Sequence, residues 1–245
     1  MLRLGVDIGG SGIKGAVVDI DAGSLVTDRH EIPTPQPSRP DAVVDAVTKV
    51  VAHFAWEGPI GFAFPAIVVD GVVHSAANID ESWIGTDARS LLAEATGRPV
   101  ALLNDADAAG LGEMHFGAGK GEDGVVFVLT LGSGIGSAVF VDGHLMPNTE
   151  LGHLELDGSK AEHRAAARLK EEEHLSWEEW ADRAQRYLTH LEAIFSPDLF
   201  ILGGGVSRDH NEFLPLLKTR ARLKPATLRN DAGIVGAALT ARDLA

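Results

Sequence analysis

The sequence predicts an α/β protein built from two related halves, folded as two lobes with a central cleft. Three observations predict it. Val125–Ser137 (VVFVLTLGSGIGS) is a run of β-branched and large apolar residues leading into a glycine turn, and a second strand follows at Ala138–Val141. The N-terminus has the same arrangement, since Leu4–Val18 (LGVDIGGSGIKGAVV) again reads strand, glycine turn, strand. Small residues in such turns permit φ > 0 and bring backbone N–H groups close to an anion. The third observation is order: the first half reads βββαβαβ, and the second repeats it more loosely. Ligands of such folds sit in the crevice, at the carboxyl ends of strands.

A chain of 245 residues is long enough for one large or two modest domains. Having no cysteine, it can form neither disulfides nor thiolate metal sites. No apolar run has membrane-spanning length, and the first residues lack a charged-then-apolar leader pattern. These features favour the cytoplasm. A formal net charge of −14 disfavours nucleic acid and membrane surfaces as partners, although a local basic patch would still attract a polyanion.

In chain order, strands are expected at Leu2–Ile8, Ile13–Ile20 and Leu25–Ile32. Asp19–Gly23 (DIDAG) marks a hairpin, and the proline-rich 33–40 segment is a surface connection. Asp41 is expected to cap a helix over 42–56, with Val43, Val47, Val50 and Val51 on its apolar face. A strand at Ile60–Phe64 and a short hairpin at Ile67–His74 come next. Thr86 or Asp87 caps a helix that ends near Gly97, and Pro99–Leu103 is a buried strand that delivers Asn104 and Asp105 to its carboxyl end. A helix over 106–116 follows it. In the second half, strands fall at Val125–Leu131, Ile135–Val141, around His144 and Leu145, and at Leu199–Leu202. Helices are expected over 160–195, broken near Ser176, and over 211–222 and 233–244.

VDIGGSGIKGA, LTLGSGIGS and LFILGGGVS resemble the two phosphate motifs and the adenosine motif of the sugar kinase, Hsp70 and actin superfamily. Asn104–Ala109 (NDADAA) and Glu150–His153 (ELGH) narrow the resemblance to the ROK family of bacterial sugar kinases and related repressors. Lys14, Asn78–Gly85 (NIDESWIG) and Thr149–Gly158 (TELGHLELDG) are similar to the branch of that family that phosphorylates glucose with polyphosphate. The resemblance implies a duplicated actin-like (ribonuclease H-like) ATPase fold and a homodimer. The small lobe would span 1–105, with helix 233–245 packed back onto it, and the large lobe 106–232. Many ROK proteins hold zinc through C-x-C-G-x-x-G-C after the Gly-His pair; without cysteine, no zinc is expected here and packing must order that loop.

Phosphoryl transfer to an alcohol needs a base beside the hydroxyl, donors around the moving phosphate and a divalent cation. Asp105, a carboxylate at the end of a buried strand, suits the base; it also suits a helix cap, and the two roles are compatible. Asn104 can donate to and accept from a sugar hydroxyl, or serve as a turn residue. The resemblance assigns Asp105 to catalysis and Glu150 and His153 to the sugar hydroxyls. Glu155 is a further sugar candidate or a solvated strand residue, and Asn78 a further one or a turn former. Asp107 is expected to be structural.

Asp7 is expected to hold Mg²⁺ through water. Gly9, Gly10, Ser11 and Gly12 from one side, and Thr130, Gly132, Ser133 and Gly134 from the other, are expected to donate to the phosphates. Gly203 and Gly204 belong to the donor motif, and Lys14 adds a mobile positive charge or is an ordinary strand lysine. No G-x-x-x-x-G-K-[ST] sequence supports a P-loop enzyme. Lys218, Arg220, Arg222, Lys224 and Arg229 form a stretch without acidic residues, in a chain carrying 35 of them. That stretch favours polyphosphate as donor, with ATP also possible. The competing readings are an ATP-dependent kinase for glucose or mannose and a non-catalytic sugar-sensing protein. Leu2 already begins the first strand, which argues against a preceding DNA-binding helix-turn-helix.

Overall fold

The computed structural model describes residues 1–245 and divides into two compact units, Met1–Gly112 with Asp231–Ala245, and Glu113–Asn230. The first unit opens with β1 (Leu2–Ile8), β2 (Gly12–Asp19), β3 (Ser24–Leu25), β4 (His30–Pro33) and α1 (Pro40–His53). It continues through β5 (Ile60–Phe64), β6 (Val68–Val69), β7 (Val72–Val73), α2 (Ala88–Thr96), β8 (Val100–Asn104) and α3 (Asp105–Phe116), inside which the division falls. Its sheet runs β3-β2-β1-β5-β8, with β4 also on β2. β1 is antiparallel to β2 and parallel to β5, and β5 is parallel to β8. As a central parallel strand, β5 is buried along its whole length.

Alternation on β1 and β5 sorts residues by size. Leu4, Val6 and Ile8, with Phe62 and Phe64, meet Val43, Val47 and Val50 of α1 in one core. The intervening positions, Gly5, Gly61 and Ala63, lie on the other face.

Three expectations for this unit are corrected. The strand over 25–32 is two pieces, because the Thr27 hydroxyl takes the Val17 N–H at 3.1 Å and interrupts the ladder. α1 begins at Pro40, preorganised for the first helical position, so Asp41 lies in the first turn and does not cap. It also ends at His53, short of residue 56. α2 follows its signals: the Asp87 side chain accepts from the Ser90 N–H at 2.9 Å, and Gly97 ends the helix at φ 64°.

The second unit contains β9 (Val125–Leu131), β10 (Ile135–Val141), β11 (His144–Met146), β12 (Glu155–Leu156), β13 (Ser159–Lys160), α4 (Glu162–Ala165) and α5 (Arg168–Glu172). α6 (Trp177–Phe195), β14 (Leu199–Gly203), α7 (His210–Phe213) and β15 (Arg222–Pro225) complete it. Its sheet, β11-β10-β9-β14-β15, repeats the plan of the first: an antiparallel hairpin followed by parallel strands. Ser176 and Glu179 form a reciprocal capping box at the start of α6. The region 160–195 is thus β13 plus three helices. The expected helix over 211–222 is also corrected. α7 is one turn, a 3-10 turn follows at Leu214–Leu216, and Arg222–Pro225 pairs in parallel with β14. Pro225 is accommodated because β15 is an edge strand.

The chain then returns to the first unit as α8 (Ala232–Thr240), whose residues up to Leu239 are all buried. α8 packs backbone to backbone on the small-residue face of the first sheet. A Cβ at Gly5 would strike the Ile234 carbonyl, and one at Gly61 the Ala237 carbonyl. Gly61→Ala should therefore lower the unfolding free energy by roughly 1–3 kcal/mol or more, read by thermal and urea melts. Gly205→Ala, where a Cβ meets open space, should stay within about 1 kcal/mol.

Candidate active site

Strand β8 ends at Asn104 and α3 starts at Asp105 with no intervening residue. Asn104 is buried, and its amide is engaged at both ends. Oδ1 accepts from the N–H groups of Ala106 (2.8 Å) and Asp107 (3.1 Å), while Nδ2 donates to the Ala66 carbonyl (3.1 Å). Asn104 is therefore the cap that the first turn of α3 requires. The Asp105 carboxylate accepts from the Ala106 N–H at 2.8 Å and remains half-buried. Asp107 is buried.

The first glycine turn joins β1 to β2. Register places Asp7 opposite Lys14, and their side chains pair at 3.2 Å. Thr34 donates to the Gly9 carbonyl at 2.6 Å and Gln36 to the Gly10 carbonyl at 3.2 Å, while the Gly12 carbonyl accepts from the Gly9 N–H. Gly10 and Ser11 form the exposed tip. Asn78 lies against this turn, 3.2 Å from where a Gly10 Cβ would stand. At the opposite side, Gly233 leaves room for the Asp7 carboxylate.

In the second unit, the turn after β9 closes with Gly132 donating to the Gly134 carbonyl at 3.0 Å. Thr130 is in register with Gly203 of β14, and Gly204, at φ 80°, packs on Leu131. The second and third glycine motifs thus lie side by side.

The Glu150–His153 segment is a 3-10 turn tied to β10 through the Ser137 hydroxyl, which accepts from the Leu151 N–H at 3.0 Å and donates to the Thr149 carbonyl at 2.7 Å. Gly152 is required there because a Cβ would strike the Ile135 carbonyl. His153 faces two carboxylates, Glu150 at 3.9 Å and Glu162 at 3.5 Å. Burial pushes the Glu150 carboxyl above its ordinary range; Glu162 adds to the rise, and His153 and Lys160 oppose it. Glu155 sits on the exposed side of β12, opposite Lys160. The additional carboxylate beside His153 is Glu162, at the start of α4 and against Gly134; the sequence reading did not single it out.

A family model for the ROK family matches residues 3–167. The chain belongs to the ROK family. It is 52% identical over 236 residues to the polyphosphate glucokinase of Mycobacterium tuberculosis strain H37Rv, covering 96% of this chain and 89% of that one. A solved structure of inorganic polyphosphate/ATP-glucomannokinase from Arthrobacter sp. strain KM is similar at a TM-score of 0.94 and 52% identity, covering 97% of both chains. The structure of a ROK family glucokinase from Streptomyces griseus, in complex with glucose and AMPPNP, matches at 0.83 and 27%, covering 97% and 98%. The fold of this ROK protein is accordingly the duplicated actin-like ATPase fold.

No three histidine, aspartate or glutamate side chains of this ROK chain converge as a metal site, and no helix is long and apolar enough to cross a membrane. Asp7 supplies a single carboxylate. That donor set fits a cation that keeps most of its ligands as water and substrate phosphate, as Mg²⁺ does. In the basic stretch over 218–229, Lys218, Arg220 and Arg229 are exposed and only two of the five cations are ion-paired. Arg222 and Lys224 both clamp Glu122, at 2.6 and 2.7 Å, and hold its carboxyl down at about 2.

The raised Glu150 carboxyl has a consequence for stability. Below its ordinary value of 4.5 the group is protonated in folded and unfolded chains alike and costs nothing. As pH rises through the higher folded value, only the folded chain carries the penalty of a buried charge. Glu150→Gln should therefore melt at higher temperature than the wild type at pH 7.5, and the difference should vanish near pH 4.

Proposed function

We propose that the protein phosphorylates the 6-hydroxyl of glucose, taking the terminal phosphoryl group of inorganic polyphosphate, with ATP as a second donor. The observation that carries the phosphotransfer reading is the β8–α3 junction, where a buried Asn104 holds Asp105 at a fixed point. The donor rests on the resemblance to the polyphosphate glucokinase and the polyphosphate/ATP-glucomannokinase.

The roles follow from chemistry. Asp105 accepts the proton of the 6-hydroxyl as that oxygen attacks the terminal phosphorus. The bond from phosphorus to the bridging oxygen breaks, and the shortened polyphosphate leaves with the electron pair. Glu150, His153 and Glu162 bind ring hydroxyls, a carboxylate accepting and the imidazole accepting or donating. Gly10, Ser11 and Gly12 donate to phosphate oxygens from the first turn, and Thr130, Ser133 and Gly134 from the second; Gly9 and Gly132, expected as donors, instead close the two turns with their N–H groups. Gly203 and Gly204 line the path of the donor. Lys14, paired with Asp7 at 3.2 Å, supplies the positive charge nearest the first turn and turns to a phosphate when one binds. Magnesium, when bound, offsets the charge of the phosphates, and Asp7 is the carboxylate that would hold it through water. Asn78, beside the first turn, joins the donor side, and Asn104 positions Asp105. In this reading the enzyme is a cytoplasmic homodimer, working where its charged product is retained.

Incubating the purified protein with glucose and polyphosphate, ATP or no donor should give glucose 6-phosphate in the first two cases only. Asp105→Asn should keep the fold and much of the sugar affinity while kcat falls by about 10²–10⁴-fold. Retention of more than a tenth of wild-type kcat would remove Asp105 from the role, and no product from polyphosphate would remove the donor.

A further inference from the structure

A pocket of about 450 Å³ opens on the second unit, lined by His163 and Arg164 of α4, Asp157 of the β12–β13 turn, Glu173 after α5, and Arg183 and Arg186 of α6. Arg183 and Arg186 are three residues apart and share a helix face. Arg183 pairs with Glu173 and Arg186 with Asp157, each at 2.6 Å. Arg164 donates to the Asp157 carbonyl at 3.1 Å and has no carboxylate at ion-pair distance. Three guanidinium groups thus face two carboxylates, in a chain of net charge −14.

A fourth arginine sits at the second glycine turn. Arg168 donates from Nε to the Ser133 carbonyl at 2.6 Å, and its backbone N–H donates to the Gly132 carbonyl at 3.1 Å. Glu173 is held below the ordinary carboxylate range first by its hydrogen bond from Arg183, with Arg164 and Arg168 adding to the effect. Arg168 also pairs with Glu172 through Nη1 at 2.7 Å, so four arginines and three carboxylates are arrayed at the turn and the pocket. The pocket is lined by no Phe, Tyr or Trp, and its one ring is the His163 imidazole.

We propose that this arginine-lined pocket is a docking site for the tail of the polyphosphate chain whose reacting end occupies the glycine turns. The proposal rests on the donor reading given above. Guanidinium groups match phosphate oxygens in pairs, and a polyphosphate presents such oxygens at every residue. The pairs with Asp157 and Glu173 are exposed, and exposed ion pairs are weak, so phosphate displaces the carboxylates readily. ATP and tripolyphosphate end before the pocket and do not use it.

The test measures binding of long-chain polyphosphate to the full-length protein by calorimetry at several salt concentrations. Glucose phosphorylation from long-chain polyphosphate, tripolyphosphate and ATP is followed in parallel. In the double variant Arg183→Gln/Arg186→Gln, long-chain affinity should fall about tenfold or more, and the salt slope by about two. Constants for ATP and tripolyphosphate should be unchanged, which also reports an intact fold. Asp157→Asn/Glu173→Gln breaks the same two ion pairs but removes the competitors of phosphate, so long-chain affinity should rise. Weaker binding in both double variants, equal losses with every donor, or no change in either would overturn the docking site while leaving the donor reading intact. A wild-type protein that makes no glucose 6-phosphate from polyphosphate would overturn the donor reading and the docking site with it.

Discussion

The fold depends at its most constrained point on the side chain of Asn104. A buried amide must be hydrogen-bonded, and this one satisfies the first N–H groups of α3 while reaching back to the carbonyl of Ala66, just beyond β5. Two strands and a helix are thereby held to one origin, and Asp105 is the first helical residue beyond it. A carboxylate on a loop would have to be ordered when the substrate arrives; here it is ordered by folding. In a loose phosphoryl-transfer transition state, position matters more than base strength.

The two units solve the same problem with the same sheet order, and in each the first hairpin turns through glycine. The glycines serve two different physical needs. Those at the turns expose backbone donors, whereas Gly5 and Gly61 remove side chains so that α8 can lie directly on the first sheet. Closure by α8 buries the face opposite α1, and its Gly233 leaves space for Asp7. Packing and the candidate phosphate site therefore share one helix.

Much of this was legible in the sequence where one local signal dominates. The β-branched run of β9, the helix stop at Gly97 and the Ser176 cap are decided by the residues themselves. β15 was not legible, because a charged, proline-containing segment becomes a strand only beside β14. Nor was the pairing of Arg222 and Lys224 with Glu122, which lies about a hundred positions away in sequence. Glu162 has no motif of its own; it reaches His153 only because the short β12–β13 hairpin folds α4 back. The Asn104–Asp105 pair was read as chemistry, and the structure adds that Asn104 already uses most of its amide to cap the helix.

The central claim is that this junction presents Asp105 to the hydroxyl that is phosphorylated. A crystal structure of the protein with glucose bound tests it most directly. The account requires the 6-hydroxyl oxygen within about 2.6–3.2 Å of an Asp105 carboxylate oxygen. A sugar bound with its 6-hydroxyl turned away from Asp105, or with another hydroxyl in its place, would contradict it.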